Sequence, residues 1–178
     1  IGTGLIPLID RNAASYLPGG SIAALGYAER VFQLLVGVFA SFQTVVFPLY
    51  SEQVILKQWA ELKNSLIYVM LFALWVCAPV MILLWIQGIP VTRLLVERGA
   101  FDEAAVMTTS QLIAVYRIAL VFTVLGNIFV KVLNAFKDSI GAGLLGLLNP
   151  IIKLVGNTLL IPRMGLLGFP LAYLSMSI

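Results

Sequence analysis

A few charged side chains lie within long apolar stretches of the sequence: Asp10, Arg11, Glu29, Arg30, Arg117 and Lys153. A charge inside a membrane-spanning helix costs about 2.5–3.5 kcal/mol on insertion scales, and such residues normally face a bundle interior or a wet cavity. The chemistry that these residue types support is ion pairing and the binding of charged ligands. Their helical positions therefore decide what they can do.

One predicted helix carries a polar face. Tyr27, Arg30, Gly37, Ser41 and Thr44 recur at intervals of three, seven and four residues, which places them on one side. In one interpretation this face lines an aqueous cavity into which Arg30 points. In the other, small residues allow close helix packing and Arg30 reaches a membrane interface. The spacing alone supports both.

A second polar face lies further along the chain. Asn149, Lys153 and Asn157 are spaced i, i+4 and i+8, and Lys153 is too deep in its helix to reach an interface easily. A buried ammonium needs an acidic partner. Asp10 is the acidic residue that lies clearly within a span and away from its end, so we expect it near Lys153 or Arg11.

A third set shares a face of another helix: Ser110, Arg117 and Lys131. Lys131 is expected to mark the exit from the membrane. Arg117 could form a structural buried pair or take part in function, and the spacing leaves both open.

The composition indicates that membrane-spanning helices carry these charged groups. Hydrophobic residues make up 61% of the 178 residues and charged residues 11%, with a mean hydropathy of +1.03. An ordinary globular domain has about 45–50% apolar and about 25% charged residues. We therefore predict a single all-α integral membrane bundle over residues 1–178, with about six helices at about 1–17, 22–50, 64–87, 104–135, 139–161 and 166–178. The chain lacks an initiator Met and its end helices are short, so we expect it to be truncated at both ends.

Other features of the sequence do not indicate a binding or catalytic site. The net charge is +3, but the basic residues are spread singly, which argues against nucleic acid. There is no His, and Cys77 is interpreted as an apolar filler. The run GAGLLG at 141–146 opens a helix and is interpreted as small-residue packing rather than a dinucleotide site. Asp102 and Glu103 are interpreted as a solvated helix start, so no enzyme is predicted.

Basic residues give a weak indication of orientation. One side of the predicted bundle carries Lys57, Lys63, Lys131 and Lys137, and the other carries Arg93, Arg98 and Arg163. The lysine side is therefore expected in the cytoplasm.

Several motifs in order resemble the MurJ/MviN family of lipid II flippases. Members typically carry Asp-Arg, Ala-Ser-x-Leu, Gly-Ser-x-x-Ala-Leu and Tyr-Ala-x-Arg, and residues 10–30 read DRNAASYLPGGSIAALGYAER. The likeness continues with FPLYS at 47–51, ERGAF at 97–101 and VKVL at 130–133.

The resemblance implies one lobe of a fold of about fourteen helices in two lobes, with the first lobe of the same chain missing here. It implies alternating-access flipping of an undecaprenyl-diphosphate-linked glycan, lipid II, in the bacterial inner membrane, among membrane lipids. Arg30 matches the family's cavity arginine, and a guanidinium suits a diphosphate because it donates two charge-assisted hydrogen bonds. The candidate substrate-binding residues are Arg30, Glu29, Tyr27, Arg11 and Arg117. The ion-coupling or charge-pair set is Asp10, Lys153, Asn157 and Asn149, and no metal or cofactor is predicted.

The chain departs from the family pattern at several points. The usual prolines before Gly37 and the usual Asp-Thr-x-Thr-Pro turn after Phe136 are missing. Some members hold a sodium ion beside an aspartate that matches Asp10, but Lys153 stands where a neutral or ligating residue would be expected. We hypothesise that its ammonium replaces the metal.

Three alternatives remain open at this point. An exporter of another polyprenyl-linked oligosaccharide, such as O-antigen, would need a similar cationic cavity. A membrane-embedded polyprenyl-phosphate enzyme would need an acidic metal-binding pair, for which Asp102 and Glu103 are the candidates. A non-transporting scaffold would tolerate the loss of Arg30.

Overall fold

The computed structural model describes residues 6–16, 20–96 and 103–177, and regular structure in these ranges is helical. The helices are α1 (Ile6–Ala14), α2 (Ser21–Ile55), α3 (Trp59–Ile86), α4 (Gly88–Val96), α5 (Glu103–Ala135), α6 (Ser139–Met164) and α7 (Gly168–Ser177), with a 3-10 turn at Gly165–Leu167. Four helical stretches are long and apolar enough to cross a bilayer: Ser21–Ile55, Trp59–Ile86, Ala105–Ala135 and Gly143–Ser177. The prediction of an all-α membrane bundle is confirmed.

Helix α5 lies at the centre of the bundle, in contact with α2, α3, α4 and α7. Its inward face, which includes Leu112, Tyr116, Leu120 and Val124, is almost fully buried. Many large apolar side chains instead point outward, among them Trp75 at 75% exposure. An apolar surface of this extent suits contact with lipid rather than water.

The helix boundaries differ from the predicted ones in several places. Helix α2 continues through Pro48 to Ile55, and α6 contains Pro150 and Pro162, because neighbouring helices in a membrane bundle tolerate proline within a span. The segment after Gln87, predicted as a loop, forms α4. There the Thr92 hydroxyl donates to the Gly88 carbonyl oxygen.

Two glycines have a definite role at helix starts. Gly20 occupies the N-cap position of α2 at φ 89°, in the left-handed region that favours glycine. Small-residue packing was expected at 141–146, yet a Cβ added at Gly143 or Gly146 would meet no atom of the described part of the chain within 4 Å. Gly141 instead stabilises the start of α6, because its backbone N–H donates a hydrogen bond to the capping Asp138 side chain at 2.9 Å.

The α2–α3 and α5–α6 connections share one turn geometry. Each contains a lysine with a left-handed backbone, Lys57 at φ 55° and Lys137 at φ 58°. In each turn the N–H groups of the lysine and of the next residue donate back to carbonyls three and five residues earlier, which is the Schellman pattern of helix ends. The rings of Trp59 and Phe136 stack at 5.9 Å and join the two turns.

Helix α7 folds back against α6 through a close glycine contact. A Cβ at Gly168 would lie 2.8 Å from the Ile161 backbone nitrogen, and one at Gly156 would lie 2.8 Å from the Ala172 Cβ. Glycine at both positions therefore lets the two helices approach closely. This approach brings α7 to the residues of α6 that bear the buried charge.

Candidate functional site

A buried ion pair joins the first described helix to α6. Lys153 Nζ lies 3.3 Å from Asp10 Oδ2, and the two side chains are 0% and 1% exposed. The prediction that Asp10 lies near Lys153 is confirmed. Asp10 and Lys153 are far apart in the sequence, so their ion pair holds α1 against α6. Both side chains are buried, which keeps the pair away from solvent.

Each partner of the pair has further hydrogen bonds. The Lys153 ammonium donates to the Phe169 carbonyl oxygen at 2.7 Å, and the Asn157 amide nitrogen donates to Asp10 Oδ1 at 2.7 Å. The Lys153 ammonium also lies 5.5 Å from the ring centre of Tyr173. Three helices, α1, α6 and α7, therefore contribute to one charge cluster.

Glu29 supplies a second carboxylate to this region from α2. It is partly buried and interacts electrostatically with Asp10, Lys153 and Arg11. Tyr116 on α5 lies within electrostatic range of Glu29. The sequence grouped Glu29 with the substrate-binding residues, but in the structure it lies beside the charge pair.

Aromatic rings enclose the cluster on the side of α5 and α7. The Phe32 ring lies 5.0 Å from the rings of both Tyr116 and Tyr173, measured between centroids. Phe169 is fully buried. A buried charge among rings is poorly solvated, so its hydrogen bonds carry most of its stabilisation.

The predicted face of α2 is exposed along its length. Arg30, Gly37, Ser41 and Thr44 are exposed and Tyr27 is partly exposed. The Arg30 guanidinium lies 5.7 Å from the ring centre of Tyr27, and the two hydroxyls further along donate to carbonyls of α2 itself. Arg30 lines neither the two grooves beside the charge cluster nor the small pocket at Phe32 and Tyr116, so a cavity beside it stays a prediction.

Three other predicted site residues lie apart from the cluster core. Arg11 is exposed. Arg117 is half-buried, with its guanidinium 5.8 Å from the ring centre of Trp85 on α3. Asn149 lines a groove on a different side of α6, so the expected polar face of α6 is divided between this groove and the charge cluster.

Asp102 lies outside the described residues, whereas Glu103 begins α5 and pairs with Arg93 at 3.2 Å.

Two grooves border the cluster, and each is lined mostly by apolar side chains with a few polar ones among them. The first, here the α1–α6 groove, has a volume of about 540 Å³ and its lining includes Asn12, Tyr16, Asn157 and Thr158. The second, here the α5–α6 groove, has a volume of about 500 Å³ and its lining includes Thr123, Asn127, Asn149, Tyr173 and Ser177. Sequence reasoning missed these grooves and the Phe169 carbonyl, because backbone acceptors and gaps between helices leave no residue-type signal.

Long apolar helices packed around a buried acid–base pair define the chain as an integral membrane helical bundle. Its backbone matches a solved lipid II flippase MurJ in an inward closed conformation, with a TM-score of 0.85 at 24% identity over 99% of this chain and 37% of that one. It also matches an outward-facing multidrug resistance MATE family transporter of the MOP superfamily, with a TM-score of 0.85 at 20% identity over 98% of this chain and 39% of that one.

The family profile described as "Lipid II flippase MurJ" matches residues 5–178. The chain belongs to the lipid II flippase MurJ family. It is 34% identical over 170 residues to a probable lipid II flippase MurJ of Helicobacter pylori (strain J99), covering 92% of this chain and 36% of that protein. A relative so described from Rhizobium meliloti is 30% identical over 136 residues, 74% of this chain and 25% of that protein. The chain thus spans about a third of the first relative's length.

Proposed function

We propose that this chain is one lobe of a flippase that moves lipid II across the bacterial inner membrane by alternating access. The observation that carries the proposal is family membership over nearly the whole chain together with the exposed polar face of α2. The proposed partners are the undecaprenyl-diphosphate-linked glycan, the surrounding lipids and the other lobe of the same protein. The proposed role is transport without catalysis.

Arg30 is the residue proposed to hold the diphosphate. Its guanidinium is exposed and can donate two hydrogen bonds to one phosphate group. Tyr27, three residues earlier on the same face, restricts the side chain through a cation–π contact. Gly37, about two turns beyond Arg30, is exposed and leaves room for a bulky sugar headgroup.

Arg11 and Arg117 are proposed as secondary contacts for the phosphates and sugars. Arg11 is exposed beside the charge cluster. Arg117 is held against Trp85, so its guanidinium is already oriented by a flat apolar surface. Arginines at separate positions would let the headgroup pass from one contact to another as the lobes rearrange.

The test is complementation of a bacterial strain depleted of its lipid II flippase, with the full-length protein and its variants. Arg30→Ala should weaken diphosphate binding about 10- to 100-fold, because it removes charge-assisted hydrogen bonds worth about 1.5–3 kcal/mol. Arg30→Lys should rescue growth partly, since lysine keeps the positive charge but lacks the planar guanidinium that donates two parallel hydrogen bonds. Arg163→Ala, at the exposed end of α6, is the matched control and should grow normally.

The outcomes separate the candidate functions. Failure of the unmodified protein to rescue, with restored export of the lipid-linked glycan in a strain that lacks its O-antigen exporter, would favour an O-antigen exporter. Full rescue by Arg30→Ala would refute the role of Arg30. Rescue that needs Glu103 would favour an enzyme, which we do not expect because that carboxylate pairs with Arg93.

A further inference from the structure

Lys131 is a cation that lies against the helix bearing the proposed substrate face. It is half-buried near the end of α5, and its ammonium lies 5.7 Å from the ring centre of Phe47 on α2. The other lysines at this end of the bundle, Lys57, Lys63 and Lys137, are exposed. Lys131 is therefore the lysine of this end whose charged group is held against α2.

Packing between α2 and α5 places this lysine. The buried Gln43 amide on α2 donates to the Val124 carbonyl oxygen on α5 at 3.1 Å. Phe47 lies about one turn after Gln43, and Lys131 lies about two turns after Val124, so the hydrogen bond and the cation–π contact belong to the same helix–helix interface. The position of the Lys131 ammonium beside α2 thus follows from the way the two helices pack.

The exposed face of α2 leads from Arg30 towards Lys131. Thr44 is the polar residue of that face nearest to Lys131, and Phe47 follows it by three residues at the edge of the same face. Arg30 and Phe47 are 17 residues apart in the sequence, which is about 25 Å along a helix. Two cationic groups therefore lie well apart along one side of α2, and both can meet a ligand that moves along this face.

The charge of Lys131 has no anionic partner in the ranges that the structure describes, where it forms no salt bridge. The acidic residues at the lysine end are Glu52, Glu61 and Asp138, which are exposed, and Asp138 caps the start of α6. A positive charge that is partly desolvated and unpaired is stabilised by an anionic ligand. Lys131 is four residues, about 6 Å, from the end of α5, a depth suited to the phosphate of a membrane lipid.

We propose that Lys131 is the entry contact for the substrate and binds the diphosphate of the polyprenyl-linked glycan before Arg30 does. This proposal rests on the proposed flippase function and adds a second phosphate contact to it. A compact ammonium attracts phosphate as a point charge, whereas the guanidinium of Arg30 holds it with two parallel hydrogen bonds. The lysine end is predicted to face the cytoplasm, so Lys131 meets lipids of the inner leaflet.

The experiment uses the full-length protein in phosphatidylcholine vesicles, with and without phosphatidylglycerol. Initial rates of fluorescent lipid II translocation at rising lipid II content give the apparent KM and kcat. Binding of undecaprenyl diphosphate to the purified protein in detergent is measured separately, without transport.

The variants separate the charge of Lys131 from its packing. Lys131→Met removes the charge but keeps an unbranched stem against Phe47, and Lys131→Arg keeps the charge. Lys131→Gln, a second neutral replacement, keeps the test valid if Lys131→Met does not fold. Lys63→Met, an exposed lysine at the same end of the bundle, is the matched control.

We expect Lys131→Met to raise the apparent KM about tenfold, the effect of losing one charge-assisted contact, and to leave kcat nearly unchanged. Lys131→Arg should restore the KM, and Lys63→Met should match the unmodified protein. Raising the ionic strength from about 0.1 M to about 1 M shortens the screening length from about 10 Å to about 3 Å. It should therefore raise the KM of the unmodified protein more than that of Lys131→Met.

Three results would overturn the proposal while leaving the flippase function in place. The first is a KM that the neutral Lys131 variants leave unchanged. The second is an equal rise in Lys63→Met, which would show a general effect of surface charge. The third is an effect confined to vesicles with phosphatidylglycerol, which would assign the site to a bulk phospholipid.

The binding measurement separates this proposal from the flippase function. If the unmodified protein moves no lipid II, the flippase function is refuted. Weaker binding of undecaprenyl diphosphate by Lys131→Met than by the unmodified protein would then still support the phosphate contact, and equal binding would refute it.

Discussion

Removing one member of the buried pair should be far more damaging than removing both. At the observed 3.3 Å between Lys153 Nζ and Asp10 Oδ2, the attraction is about 5 kcal/mol at an effective dielectric constant of about 20. Much of this offsets the desolvation of two fully buried charges. Lys153→Met leaves the Asp10 carboxylate buried without a counterion, and we expect it to lower the free energy of unfolding by about 3–5 kcal/mol.

The double variant Asp10→Asn with Lys153→Met should recover most of that loss. It keeps similar side-chain volume, lets Asn157 retain a hydrogen-bonding neighbour, and leaves no isolated charge. The assay is a double-mutant cycle in mixed detergent micelles, in which the free energy of unfolding of the full-length protein is compared for both single variants and the double variant. The coupling between the two sites should exceed about 2 kcal/mol.

Two results would refute this reasoning. If Lys153→Met lowers the free energy of unfolding by less than about 1 kcal/mol, the pair is not desolvated as the structure places it. If the two single effects simply add, the side chains do not interact. Lys63→Met, on the exposed side of α3, is the matched control and should change little.

Three further predictions concern packing and turns, and each is measured as thermal stability in detergent. Gly168→Ala should lower stability by about 1–3 kcal/mol because its Cβ would meet the backbone of Ile161 at 2.8 Å, whereas Gly143→Ala should be neutral or better. Lys57→Gly should raise stability by about 1 kcal/mol by relieving a left-handed backbone, and a loss would contradict the turn geometry. Gln43→Ala should lower it by about 1 kcal/mol because its amide donates at 3.1 Å to a buried carbonyl of α5, and an unchanged melting temperature would argue against that bond.

The sequence was sufficient to predict the buried pair because the environment restricts the choice of partner. An ammonium in mid-span needs an anion, and Asp10 was the acidic residue clearly available within an apolar stretch. The helical character followed equally from the length and hydropathy of the apolar runs. These features depend on residue type and spacing, both of which the sequence itself provides.

Other features depend on tertiary arrangement and could not be predicted. The short helix α4 is too brief to give a clear periodic pattern, and its Arg93–Glu103 contact becomes visible only in the structure. Glu29 was grouped with Arg30 among the candidate substrate-binding residues, yet helical geometry directs neighbouring side chains to different faces. The lining of each groove comes from more than one helix, so no single segment of the sequence carries a pattern that would predict it.

The paired lysine turns bear on how the polypeptide enters the bilayer. Lys57 and Lys137 occupy backbone positions where glycine would be less strained, and each adds a positive charge directly beyond a long apolar helix. Positive charge beside a span retains that end on the cytoplasmic side during insertion. We therefore predict that each lysine both closes its hairpin and keeps that turn in the cytoplasm. Replacing both lysines by glycine should favour folding of each turn while weakening the charge signal for membrane orientation.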